Sequence, residues 1–505
     1  MAVSVFILAG FAGCKNDGDD IDVNPEDVNA YLSVNVVVAN DSGTKGAETN
    51  PSEPGTTDES RIEELHLHFF DSGAGTYVSS LTIDGTDLVP GGSGSASHPV
   101  KLGAGTYKVL VIANGNVTLS GGVGVPLLDQ LSLTRTHGLL TSVPASTTAD
   151  KGLVMASRTP NGLTTDPFYG SAPYVELVIT TSNTKDSPAL INVEMERTVA
   201  KLTITGNEAD GKGMNGYAVA AATSGECVVT ISDYLVVNVN KTGYVFRNTA
   251  KATTTDIGYG SVYDGAYPSW TSANNPYLYV WDPNSADKIY TPGTGLIADL
   301  SARYDNPAKD VTTASTFSAM PASTAHSTIG YCLENTAVST AQRNGYSTGL
   351  VFKGKVVPAV VFIDGSNSES YTSGTTVFYS TKTDKFYKNA ASVALDAATG
   401  ITDAATITGK TADVLETLSI REFVNGDVYY VYWIKHENDA AVKNQIMEFA
   451  IVRNNVYKME ITDISKVGAG GIVIDPNDPN ELEETYFTVE LKVSPWGVRT
   501  NDIEF

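Results

Sequence analysis

Residue types that can do chemistry come together at only a few places in this sequence. "GYSTG" (345–349) sets Ser347 in a G-x-S-x-G frame, the pattern of a nucleophilic serine on a strand-to-helix elbow. Here the order is reversed: a polar segment precedes and the strand-like "LVFKGKVV" follows, so the motif reads as a loop. His66 and His68 fall on one face of a strand, close enough to share a metal, but no third ligand stands at a recognisable spacing. "PGGSGSAS" (90–97) is glycine-rich, with no lysine and no following helix, and is no phosphate cradle. Asp475 and Asp478 in "DPNDPNE" offer oxygens to a hard cation, yet a proline-stiffened linker is the plainer reading. "KNDGDDIDVNPEDVN" (15–29) has the aspartates of a calcium loop but not its glycine and terminal glutamate in register; it reads as a solvated tether. No acid–base pair, nucleophile system or metal set emerges. The expectation is a non-enzyme without cofactor or metal.

The chemistry that remains is processing. "MAVSVFILAGFAGC" is an apolar run too short to span a bilayer, and it reads as the core of a secretory signal. Ala12, Gly13 and Cys14 resemble the end of a bacterial lipobox, in which the cysteine is acylated. Phe11 stands where leucine is usual, and no basic residue precedes the run. Lys45 lies in "DSGTKGAETN", a polar stretch that a trypsin-like protease could enter at Lys45–Gly46; Arg61–Ile62 is the alternative bond. The remaining cysteines, Cys227 and Cys332, are too few for a disulfide scaffold, and whether they pair stays open.

The elements around these residues are strands. Of 505 residues, 42% are hydrophobic and only 18% charged, and Gly, Ser, Thr, Val and Tyr fill the difference. That mix favours short strands between many turns. The net charge of −24 repels phosphate backbones and argues against a nucleic-acid partner. Alternating or β-branched runs recur at 62–71, 101–115, 174–181, 191–206, 227–240, 349–363, 375–380, 427–436, 454–467 and 485–498. Helical periodicity is scarce: 125–134 suggests one short helix and 340–344 another turn. The predicted fold is all-β, with two tandem antiparallel β-sandwich domains of immunoglobulin- or transthyretin-like type. The expected boundaries are a signal at 1–14, a tether and first strand at 15–45, an N-terminal sandwich at 46–188, a C-terminal sandwich with long insertions at 189–480, and a terminal strand at 481–505.

The two ends match. Near the start, Leu32, Val34, Val36 and Val38 share one face of a strand; near the end, Phe487, Val489, Leu491 and Val493 do, with Trp496 beyond them. Each segment is about nine residues, roughly 30 Å when extended. Burying four such side chains is worth roughly 6–12 kcal/mol before entropy is subtracted. Either strand suits one apolar groove.

Several stretches, in order, carry a family resemblance: "FAGC", "GTYKVLVIANG", "ERTVAKLTI" (196–204), "VYYVYW" (428–433), "VRNNVYKMEITDISKVG" (452–468) and "VELKVSPWGV" (489–498). The chain resembles the fimbrillins, the shaft pilins of Bacteroidales type V fimbriae, and within them the minor-fimbrium branch of Porphyromonas. The resemblance implies a lipoprotein precursor at the outer membrane, lipidated (palmitate) at Cys14. It implies that a trypsin-like protease removes the strand carrying Leu32, Val34, Val36 and Val38. The terminal strand of an identical subunit would then fill the opened groove, giving a head-to-tail polymer that also meets anchor and tip subunits in an extracellular fimbrium. The minor-fimbrium branch has arginine where Lys45 stands, so an Arg-specific protease would not cut here. A glycan-binding surface lipoprotein, with Trp270 and Trp281 as its aromatic platform, is the competing expectation; a tip or anchor subunit is another.

Overall fold

The computed structural model describes residues 30–38, 53–88, 98–115, 123–130, 133–158, 173–208, 211–221, 225–251, 299–337, 341–436, 448–480 and 487–497, with short pieces at 117, 119, 278–280, 282–284 and 288. The chain is built from strands, as expected. The first sheet has eight: β1 (Ala30–Val38), β3 (Glu64–Asp71), β4 (Tyr77–Asp84), β5 (His98–Val100), β6 (Gly105–Ala113), β7 (Met155–Arg158), β8 (Tyr174–Ile179) and β9 (Ala189–Arg197). β2 (Glu53–Pro54) lies before β3 in sequence but belongs to another sheet. Spatial order in the first sheet is β4-β3-β6-β7-β9-β1-β5, with β8 paired to β6. Its core draws Leu65, Leu67 and Phe69 from β3, Val109 and Val111 from β6, and Ile191, Val193 and Met195 from β9. All are period-2 positions, which is why alternation in the sequence locates them.

The second unit begins at β10 (Ala200–Thr205) and continues with β11 (Gly216–Ala221), β12 (Gly225–Val237), β13 (Ser327–Cys332), β14 (Gly349–Pro358), β15 (Asp427–Trp433), β16 (Asn455–Ile464) and β17 (Phe487–Gly497). One five-stranded sheet runs β2-β17-β16-β10-β13. A second, β11-β12-β14-β15 with Ser318–Ala319 added to β12, shares a core with it that includes Leu202, Tyr457, Val229, Phe352 and Tyr430. A further five-stranded sheet uses residues between 360 and 423.

The expected domain division at 188/189 falls elsewhere. β9 stays in the first sheet and β10 enters the second, so the chain changes sheet at Thr198–Val199, inside "ERTVAKLTI". The run looked continuous because both strands are apolar and only two residues separate them. Helices are short. α1 (Thr57–Ser60) has a capping box in which Thr56 and Glu59 satisfy each other's backbone. α2 (Leu127–Gln130) sits within the predicted 125–134, whereas α3 (Ala390–Leu395) and α4 (Ala412–Thr417) were not predicted.

Candidate strand-exchange site

β1 lies between two strands. It runs parallel to β9, from Leu32 opposite Ala189 to Val38 opposite Met195, and antiparallel to β5, with Ala30 opposite Val100. Leu32, Val34, Val36 and Val38 are buried in the first core, and Val37 on the other face is exposed. Asn35 Nδ2 donates to Asn192 Oδ1 at 3.0 Å across the ladder. Withdrawing β1 would open a slot between β9 and β5, leaving a ladder unpaired and a row of apolar side chains uncovered.

β17 lies in the sheet of its own chain. It pairs antiparallel with β16 from Phe487 opposite Ile464 to Pro495 opposite Asn455, and β2 adds on parallel, Glu53 opposite Trp496. Val493 is buried, Val489 and Leu491 pack partly against the second core, and Thr488, Glu490 and Lys492 are exposed. In the single chain, then, Val489, Leu491 and Val493 face the second core of their own chain, while the Phe487 side chain lies outside the described residues.

Its far end is fastened by a node that sequence reasoning missed. Trp496 is 0% exposed and stacks on Tyr331, centroids 5.8 Å apart and planes 9° apart. The guanidinium of Arg197, also 0% exposed, lies 4.3 Å from the indole centroid on the ring face. Arg197 Nη1 donates to Trp496 O at 3.1 Å and to Asn454 Oδ1 at 3.2 Å; Nε donates to Glu59 O at 2.9 Å and Nη2 to Ser60 Oγ at 3.0 Å. Glu59 in turn accepts from Tyr331 OH at 2.6 Å and pairs with Lys201 at 2.7 Å. Burial drives the Glu59 carboxyl up, but the bonds from Lys201 and Tyr331 outweigh it and hold it below its usual value. Burial lowers Arg197 to about 10, against the pull of Glu59, so it is charged at neutral pH. Gly55 is required by closeness: a Cβ there would meet Arg197 Nη2 at 2.9 Å and Trp496 Nε1 at 3.0 Å. Asn454 takes the left-handed conformation (φ 55°), and its backbone joins Val199 to Trp496. Residues 53–60 thus hold the terminal strand down. The available signals were an arginine inside an apolar run at 197 and the T-x-x-E cap at 56–59.

Lys45 and Gly46 lie outside the described residues, as do Cys14, Trp270 and Trp281. Arg61 pairs with Asp58 at 2.9 Å and Glu63 at 2.6 Å, and its carbonyl accepts from Asn114 Nδ2 at 2.7 Å. Ile62 is buried in the first core. The 61–62 bond is therefore pinned, and a cut there would also detach residues 53–60.

The other chemistry-bearing residues are structural in their surroundings. Ser347 is buried and donates to Asn480 Oδ1 at 2.7 Å, in the turn before β14. His66 pairs with Glu64, while burial, with His66 adding to it, lowers His68 to about 4. Among the described residues no three His, Cys, Asp or Glu side chains are gathered to hold a metal. Asp475 caps Asn477, and Asn344 donates to Asp478 O at 3.0 Å, so the linker is bonded to the 342–345 turn as far as Asn480. Cys227 and Cys332 are both buried, unpaired thiols, each pushed up to about 12 by burial.

Residues 30–205 match the family "Major fimbrial subunit protein (FimA)", and residues 421–502 match "Major fimbrial subunit protein type IV, Fimbrillin, C-terminal". The minor fimbrium subunit Mfa1 of Porphyromonas gingivalis is 27% identical over 205 residues, a match covering 35% of this chain and 38% of that protein. Among solved structures, a fimbrilin (fimA) from P. gingivalis W83 aligns over 94% of this chain and 99% of its own at 16% identity, TM-score 0.41. A putative cell adhesion protein from Parabacteroides distasonis aligns over 92% and 99% at 14% identity, TM-score 0.41. The tip fimbrial protein Mfa3 from P. gingivalis aligns over 92% and 99% at 11% identity, TM-score 0.34.

Proposed function

The chain belongs to the fimbrillin family of the Bacteroidales, whose members are structural subunits and not enzymes, and from that premise we propose that it is the shaft subunit of a cell-surface fimbria. It reaches the outer membrane as a precursor lipidated at Cys14. A trypsin-like protease then cuts Lys45–Gly46 and β1 is lost. β17 of an identical subunit, through Phe487, Val489, Leu491, Val493 and Trp496, fills the slot between β9 and β5. This is strand addition carried to exchange. Because slot and donor are different surfaces, repetition gives an open filament, ending on tip and anchor subunits.

The observation that carries this reading is the seat of β1: next to last in the first sheet, it pairs with β9 from Leu32 to Val38 and with the edge strand β5 over Ala30–Leu32, and it buries Leu32, Val34, Val36 and Val38 in the first core. Loss of such a strand leaves a slot only another strand can fill. The pinned Arg61–Ile62 bond supports Lys45 as the cleavage residue. So does the Arg197 node, which keeps its residues 53–60 only if the cut falls before them.

A second reading takes β17 as permanently docked. Its full ladder with β16 and its buried Trp496 are what a subunit needs if it accepts a donor but gives none, as at a fimbrial tip. One experiment separates the two. Purified precursor is treated with trypsin and imaged, beside a chain lacking residues 485–505. Filaments only after cleavage, and only with the terminal strand present, support the shaft. A stable monomer after clean loss of residues 1–45 supports permanent docking or a monomeric glycan binder.

A further inference from the structure

Away from the strand-exchange site, a lysine is sealed inside the second unit. Lys288 is 0% exposed, and so is Asp282; Asn335 is 2% exposed. Lysine is almost never fully buried unless it is paired. Lys288 Nζ lies 2.8 Å from Asp282 Oδ2, 2.6 Å from Asn335 Oδ1 and 2.7 Å from Thr336 O. Burial lowers the Lys288 ammonium from its ordinary value, against the pull of Asp282. The Tyr304 ring, itself fully buried, has its centroid 6.0 Å from Nζ.

The Asn335 amide is fixed in one orientation. Its Nδ2 donates to Tyr346 O at 2.8 Å, Thr348 Oγ1 at 2.8 Å and Asn238 O at 3.3 Å, which turns its carbonyl toward the amine. Asp282 is fixed as firmly. Its Oδ2 also accepts from Thr336 N at 2.6 Å and Thr336 Oγ1 at 2.9 Å, and its Oδ1 from Asn240 Nδ2 at 3.0 Å and Asn284 N at 2.8 Å. A salt bridge needs only the lysine and the aspartate. Here a positioned primary amide is present as well, so a nucleophile, a proton acceptor and an electrophilic carbon share one water-excluded site.

We propose that Lys288 and Asn335 join through an intramolecular isopeptide bond that the chain forms by itself, with Asp282 as the proton carrier. Asp282 takes a proton from the Lys288 ammonium, and the freed lone pair attacks Cγ of Asn335. The new C–N bond forms as the Cγ–Nδ2 bond breaks. A second proton from the lysine nitrogen passes to the departing nitrogen, which leaves as ammonia and takes the proton held by Asp282. The products are one secondary amide and one ammonium ion; nothing is oxidised or reduced, and Asp282 is regenerated.

The bond would tie residues 47 apart in sequence. Asn335 is itself bridged to Ile451 by paired backbone hydrogen bonds at 3.0 and 2.8 Å. The staple would thus anchor the chain at Lys288 to the segment that leads into β16. It restricts the unfolded chain as a disulfide does, without requiring an oxidant.

The test is peptide mass spectrometry on the purified full chain, denatured, treated with an amine-reactive label and digested. The expected result is a branched peptide joining Lys288 to Asn335, lighter than the two separate peptides by one ammonia, with Lys288 unlabelled. Separate peptides with Lys288 labelled overturn the proposal, and this measurement needs no variant to fold. Lys288→Arg keeps the charge and should yield only linear peptides. Asp282→Ala, if it folds, should leave the bond unformed; a branched peptide at wild-type yield in that variant would remove Asp282 from the mechanism.

Discussion

Replacing Arg197 with methionine should loosen the terminal strand in the uncleaved chain while leaving the β1 slot intact. Arg197 gives Trp496 two interactions, a hydrogen bond to its carbonyl at 3.1 Å and a cation over its ring at 4.3 Å. A hydrogen bond from a buried charged donor is worth about 1.5–3 kcal/mol, and a desolvated cation–π contact about 1–2 kcal/mol. The hold on β17 should therefore weaken by about 2.5–5 kcal/mol, and with about 1.4 kcal/mol per decade its detached population should rise roughly 60- to 4,000-fold. Methionine retains much of the apolar stem, so the first core is little disturbed. Amide hydrogen exchange on the full-length variant reads this directly. Residues 487–497 should exchange faster by that factor, while β6 and β9 keep wild-type protection, and filaments should appear sooner after cleavage. Unchanged protection over 487–497 would refute the node as a fastening. So would an equal loss across β6 and β9, because it would mean that Arg197 supports the whole fold and not the terminal strand.

Other consequences are as direct. Val36→Asp places a carboxylate in the first core and should cost several kcal/mol unless β1 leaves its seat; size-exclusion chromatography should show the uncleaved variant associating, and a monomer of wild-type stability would count against β1 as a plug. Lys45→Gln should abolish trypsin maturation on a gel, whereas Arg61→Gln should mature normally; the reverse pattern would move the cleavage to Arg61. Stability should depend on pH through His68, whose folded value of about 4 lies below the ordinary 6.5 because it is buried. The unfolded chain then takes up the proton first as pH falls, so this contribution is present above about pH 6.5 and drains away towards pH 4. His137, also lowered to about 4, acts in the same direction. Urea midpoints of His68→Phe should fall less steeply over that window than those of the wild type.

Local patterning revealed the strands but not their partners. Period-2 apolar positions located β1, β3, β6, β16 and β17, because a half-buried strand cannot hide its alternation. That β1 pairs parallel with β9 and antiparallel with β5 was not legible, since registry depends on residues far away in sequence. The change of sheet at Thr198–Val199 was hidden by two consecutive apolar strands. α3 and α4 were missed because each is six residues long, too short for helical periodicity to show; Asn389 capping Ser392 N was the available mark of the first. The fastening node was invisible for the same reason as registry: Arg197 and Trp496 are 299 residues apart. Its parts, an arginine among apolar residues, a capping box and a Pro-Trp pair, each made sense alone.

The central claim is tested most directly by a high-resolution structure of filaments grown from the cleaved chain. The account predicts that the strand between β9 and β5 is residues 487–497 of the neighbouring subunit, with Phe487, Val489, Leu491 and Val493 over the positions vacated by Leu32, Val34, Val36 and Val38. A filament in which β17 still lies along β16 of its own chain, with the slot empty or filled by another segment, would contradict it.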